Sequence, residues 1–198
     1  MRFPILMATR SGFILALAFT ALLLLTACSV NVKKDESGEE KKVDIQTPVG
    51  GIHVSKDADV RDIGLSVYPG ARIKQKEANG EEKSANVNIS SGLFGLKVVA
   101  VEYESDDAPD KLVTYYKDQL KKYGNVLECH TSGSGGEVDV HAGKDSDSKE
   151  LTCGHDSGRT IELKAGTRDN QHIVAVKPQD KGCSFALVYV KTRGNDTI

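Results

Sequence analysis

The chain has no tryptophan, and aromatic residues make up only 6% of its 198 positions. Set beside 19 glycines and many serines and aspartates, that shortage predicts a loop-rich fold around a modest core. An excess of positive charge is also missing. The 26 Lys+Arg and 28 Asp+Glu are interspersed, which excludes the clustered basic face that nucleic-acid binding needs. Catalytic signatures are scarce: there is no Gly-x-Ser-x-Gly elbow and no phosphate-binding loop. Lys144-Asp145-Ser146-Asp147 lacks the spacing and the glycine of a calcium loop. His155-Asp156-Ser157 has the residue types of a nucleophile triad, but triads are assembled from distant elements and not from neighbours in sequence. No enzyme activity and no cofactor are expected.

Long apolar runs are lacking too, with one exception. Phe13 to Ala27 is 15 residues of mostly apolar character, short of the roughly 20 that span a bilayer as a helix. Arg2 and Arg10 precede or open it and small residues close it, which is the layout of an export signal. The run ends in Leu25-Thr26-Ala27-Cys28, an aliphatic residue and two small ones before a cysteine. This resembles the lipobox of bacterial lipoproteins. The resemblance covers the first 28 residues and implies removal of 1–27 as a signal peptide, followed by lipidation of Cys28 through its thiol and then its new amino group. Two or three acyl chains hold a protein at a membrane effectively permanently, whereas one does so only marginally. With Ser29 in second place instead of aspartate, the resemblance further implies the periplasmic face of the outer membrane in a cell that has two membranes.

Without Arg2 and Arg10, the 26 basic residues become 24 against 28 acidic ones, a net charge of −4. No electrostatic attraction to anionic lipid follows from that balance. Ser29 to Gln46, containing Lys33-Lys34-Asp35-Glu36-Ser37-Gly38-Glu39-Glu40-Lys41-Lys42, is almost free of apolar residues. Residues 28–46 are therefore expected to be the lipidated cysteine and a flexible charged tether, with a reach of roughly 20–25 Å.

Residues 47–198 are expected to form a single α+β domain: a mainly antiparallel sheet with one main helix packed on one face. Val49 to Val54 reads as a short strand, and Asp57 to Ile63 as a turn or two of helix. Tyr68-Pro69-Gly70-Ala71 is a turn signal, and Arg72 to Ala78 a polar edge strand closed by Asn79-Gly80. Ser84 to Ser91 alternates, with Ala85, Val87 and Ile89 on one face, while Leu96 to Tyr103 is apolar on both and belongs centrally. Asp107 can cap a helix that has Pro109 in its first turn, a Leu112, Tyr116, Leu120, Tyr123 stripe, and Gly124 as its stop. Strands are then expected at Asn125–His130, Glu137–His141, Lys149–Cys153, Thr160–Ala165, His172–Lys177 and Phe185–Thr192, the last three as a meander. The stretch from Tyr68 through Gly124 resembles the turn, hairpin and tyrosine-rich helix of uncharacterised bacterial envelope proteins, and that resemblance implies no activity.

Cys129, Cys153 and Cys183 remain after Cys28. Outside the cytoplasm they are free to oxidise, and an odd count leaves one over. Cys129 and Cys153 flank the polar Thr131–Ser148 excursion, so a bridge between them would close its base; pairing of either with Cys183 is the alternative. Cys129-His130, His141 and Cys153-Gly154-His155 also offer zinc donor types, but the close ligand pair is missing, so no metal is expected. Leu93-Phe94, between glycines at a hairpin tip, either folds into the core or stays exposed as a contact point. The resulting expectation is a lipid-anchored envelope protein that binds or scaffolds an envelope partner. A metal- or thiol-redox-handling protein using Cys129, Cys153 and their histidines is the alternative.

Overall fold

Period-two alternation organises most of the chain. The computed structural model describes residues 28–34, 40–74, 84–92, 94–132, 150–154 and 157–194. Ten strands form one sheet: β1 (Ser29–Lys34), β2 (Glu40–Thr47), β3 (Gly50–Ser55), β4 (Arg72–Ile73), β5 (Ser84–Ser91), β6 (Phe94–Ser105), β7 (Leu127–Thr131), β8 (Thr160–Thr167), β9 (Asn170–Pro178) and β10 (Cys183–Gly194). They follow the order β1-β2-β3-β5-β6-β10-β9-β8-β7, every neighbour antiparallel, with β4 on the far end of β6. The 12-residue strands β6 and β10 pair along their whole length and form the spine. Apolar on both faces, β6 lies in the middle of the sheet, and β8-β9-β10 is a meander.

The α+β expectation, with one main helix, does not hold. Among the described residues helix amounts to α1 (Val60–Ile63), α2 (Pro109–Leu120) and a 3-10 turn at Lys121–Tyr123, against ten strands. The fold is mostly antiparallel sheet, with a short helix as an accessory. The expectation erred because the stretch through Gln46, read as tether, contributes two cross-paired strands, Ser29–Lys34 and Glu40–Thr47, that carry the sheet outward. In both, alternation of apolar and polar residues outweighs the low apolar content. The expected strand at Lys149–Cys153 is absent over the described 150–153, where the chain has no regular structure. Glu137–His141 and Asn79-Gly80 lie outside the described residues.

Both helices pack on one face of the spine. Leu112, Val113, Tyr116 and Leu120 of α2 and Ile63 of α1 are buried against Val99, Val101 and Tyr103 of β6, Phe185 and Leu187 of β10, and Val174 and Val176 of β9. The α2 start differs from expectation: its cap is Ala108, with no side-chain bond, and Pro109 follows. Asp107 instead accepts from the Tyr68 hydroxyl at 3.0 Å and from Lys111 Nζ at 2.6 Å. Tyr68-Pro69-Gly70-Ala71 is a hydrogen-bonded turn, Ala71 N to Tyr68 O at 3.0 Å, with Gly70 at φ 76° as a type II turn requires.

The end of α1 is pinned by three side chains. Gly64 takes φ 74°, and its carbonyl accepts from Tyr123 Oη at 2.7 Å and Lys122 Nζ at 2.8 Å. A β-carbon here would lie 2.4 Å from that hydroxyl. His172 bonds the preceding Ile63 carbonyl at 2.8 Å and stacks on Tyr123 with ring centroids 3.5 Å apart.

Candidate functional site

The opposite face of the sheet carries the most distinctive feature of the molecule. Strand register places Val32, Val43, Val54, Val87, Val98 and Val190 in one unbroken row across β1, β2, β3, β5, β6 and β10. A second row, Val30, Ile45, Ile52, Ile89 and Leu96, runs beside it. Side chains two apart on a strand share a face, so the rows form one aliphatic surface, and Phe94 at the start of β6 extends it. Both described helices lie on the other side.

Burial on this surface follows position. At the spine Ile173, Ala175, Ala186, Val188 and Val190 are buried, with Leu96, Val98 and Ala100 partly buried against them. Outward the rows emerge: Ile52 is 39% exposed, Phe94 46% and Val30 65%. The intervening residues carry the matching polar row on the reverse side: Asn31, Asp44, His53, Asn88 and Lys97 are successive cross-strand partners. His53 pairs with Asp44 there, and Lys97 Nζ lies 3.8 Å from Asp62. The outer half of the sheet is thus amphipathic, aliphatic on one side and polar on the other.

Cys28 is exposed and immediately precedes β1. It lies two residues before Val30, the first residue of the aliphatic side. Phe94, half of the expected contact tip, is exposed and belongs to the same surface; Leu93 lies outside the described residues.

Cys129 and Cys153 are disulfide-bonded, with Cα atoms 5.5 Å apart. The bridge ties irregular residue 153 to β7, and Cys129 is fully buried. Their sulfurs bond each other and are not thiolate ligands. His130, next in β7, points to the reverse face, its Nε2 3.7 Å from Glu128 Oε1. His141 and His155 lie outside the described residues, and no group of three or more metal-ligating side chains occurs among those described.

A polar cluster sits where α2 begins. Arg72 makes two 2.9 Å bonds to Asp106, and Asp107 takes Lys111 and Tyr68. These partners hold both carboxyls below the usual carboxylate range. Cys183, buried beneath, points its thiol at the Asp107 carbonyl at 3.6 Å, and burial pushes that thiol up to about 11. Acids kept ionised beside a thiol kept protonated lock a loop and activate no nucleophile. A depression of about 520 Å³ at the β2–β3 turn, bordered by Gln46, Pro48, Val49, Ser90 and Arg193, has no histidine, cysteine or carboxylate in its wall.

Among the described residues no helix is long and apolar enough to cross a membrane. No family model, curated protein or solved structure matches the chain.

Proposed function

We propose that this is a lipid-anchored protein of the bacterial cell envelope, held through Cys28 on the periplasmic face of the outer membrane, whose sheet domain binds or scaffolds another envelope component without catalysis. The observation that carries the reading is the exposed aliphatic surface that starts at Val30, two residues beyond Cys28. Apolar surface of that extent is an interaction feature in a water-exposed domain. The lipobox-like Leu25-Thr26-Ala27-Cys28 supports the anchor. The disulfide supports an oxidising compartment.

Cys28→Ser in a bacterial host tests the anchor. Loss of signal-peptide cleavage and of incorporated labelled palmitate is the expected result. A variant that matures and fractionates with membranes as before removes the reading. Photocrosslinking from Phe94 in intact cells tests the binding role, with a discrete adduct to one envelope protein expected.

A further inference from the structure

We propose that the outer part of the aliphatic surface, on β1, β2, β3 and β5, lies against the bilayer that anchors Cys28, so that the sheet edge rests on the membrane and Phe94 at the start of β6 stays open to a partner. This rests on the lipid-anchor reading and adds to it an orientation and an occupant, the phospholipid surface itself. The first argument is distance. Strand β1 begins at Ser29, one residue or about 3.8 Å of backbone from the acylated position. No spacer separates the sheet edge from the headgroups.

The second argument is direction. Cys28 is two residues before Val30, and extended backbone continued back from β1 would put its acyl chains on the side that Val30 and Val32 occupy. Chains entering a membrane from that side draw the same side down with them. Exposure agrees: Val30, nearest the anchor, is 65% exposed and Val32 41%. The reverse side, with Asn31, Asp44, His53 and Asn88, remains in water.

A second copy of the chain is the competing occupant. Stacked face to face, two copies would trap the acyl chains of both Cys28 residues between their sheets, away from lipid. The bilayer satisfies the chains and the aliphatic rows together.

The absence of tryptophan makes a direct test available. The mature chain beginning at Cys28 is coupled through that thiol to maleimide-headgroup lipid in phosphatidylethanolamine–phosphatidylglycerol vesicles. Two variants each carry the sole indole: Ile52→Trp on the aliphatic side, and His53→Trp next to it on the polar side. With brominated acyl chains, emission from Ile52→Trp should fall severalfold and shift to the blue, while that from His53→Trp stays unchanged. Ile89→Trp and Asn88→Trp repeat the comparison one strand inward if the first pair folds poorly. Equal responses from the two sides overturn the proposal. So does an Ile52→Trp indole already shielded in a dimer and insensitive to brominated lipid. Because the vesicle supplies the anchor chemically, this outcome is separate from whether cells acylate Cys28, which the Cys28→Ser experiment decides.

Discussion

Val54 of β3 and Val87 of β5 face one another on the aliphatic side of the sheet, while the adjacent His53 and Asn88 face one another on the polar side. The pair shows how one register assigns two chemistries. A slip by one residue would move the valines to the polar side and His53 among the aliphatics. The outer strands are therefore held in register by their patterning and by His53–Asp44, with no helix above them among the described residues.

Stability and surface function should consequently separate. Ile52, 39% exposed, should tolerate Ile52→Ser at a cost of about 1 kcal/mol or less, in line with the value of a cross-strand contact. Leu163, fully buried beneath the helices, should lose about 2–5 kcal/mol as Leu163→Ala. Urea denaturation of the chain from residue 28, produced without residues 1–27 and carrying Cys28→Ser, measures both. Comparable losses at the two positions would show that the aliphatic side is core and not surface.

The bridge between Cys129 and Cys153 spans a separation of 24 residues. Closing a loop of that size is expected to stabilise by about 3 kcal/mol. Cys153→Ser, or reduction of the parent, should lower unfolding free energy by that order, and reduction should then have little further effect on the variant. In the Cys28→Ser background one thiol remains, Cys183, buried and shifted up to about 11. It should resist aromatic disulfide reagents at pH 8 in the native protein and react fully in denaturant. Rapid native reaction would contradict its burial.

Much of the inner fold is legible in the sequence. The two-sided apolar run at Leu96–Tyr103 marks the central strand, and Pro109 with Leu112, Tyr116 and Leu120 marks the helix. Cysteine positions around a polar excursion point to the observed bridge. The outer sheet is harder to read because composition and periodicity conflict there. Val30-Asn31-Val32-Lys33 and Val43-Asp44-Ile45-Gln46 sit in a charge-rich stretch, so an argument from apolar content assigns a tether. Yet both repeat the alternation of Ile52-His53-Val54-Ser55 and Val87-Asn88-Ile89-Ser90, and weighting the repeat would have found four paired strands. The valine row itself depends on register across several strands, which no single segment specifies. The Asp107 cap failed for another reason: Lys111 and Tyr68 compete for the same carboxylate.

Tyr116 offers a sharp test of the helix-covered core. Its hydroxyl accepts from the Tyr68 backbone N–H at 3.0 Å, and the side chain is fully buried with its ring near Tyr115 and Phe185. Burial raises its pKa far above the ordinary phenol value, so it stays a neutral acceptor across the accessible pH range. Tyr116→Phe keeps the ring and leaves the Tyr68 N–H without this partner. A loss of about 1–3 kcal/mol is expected, with circular dichroism unchanged. A loss near zero would mean that water replaces the hydroxyl and the turn at Tyr68 is looser than the geometry implies.

His172 makes stability depend on pH with a definite sign. It is 6% exposed, stacked on Tyr123 and bonded to the Ile63 carbonyl. Burial first, and Lys122 nearby, lower its affinity for a proton below the ordinary 6.5. Just below pH 6.5 the unfolded chain therefore binds a proton that the folded protein refuses. The contribution of this residue is complete above that value and is lost as pH falls through it toward the folded pKa. One proton limits the slope to about 1.4 kcal/mol per pH unit. His172→Phe keeps an aromatic ring against Tyr123 and removes the titration. Urea midpoints measured from pH 7.5 down to about 5 should decline in the parent and decline less in the variant, even if the variant starts lower for want of the Ile63 bond. Parallel curves would assign the acid sensitivity to other groups and leave His172 with packing alone.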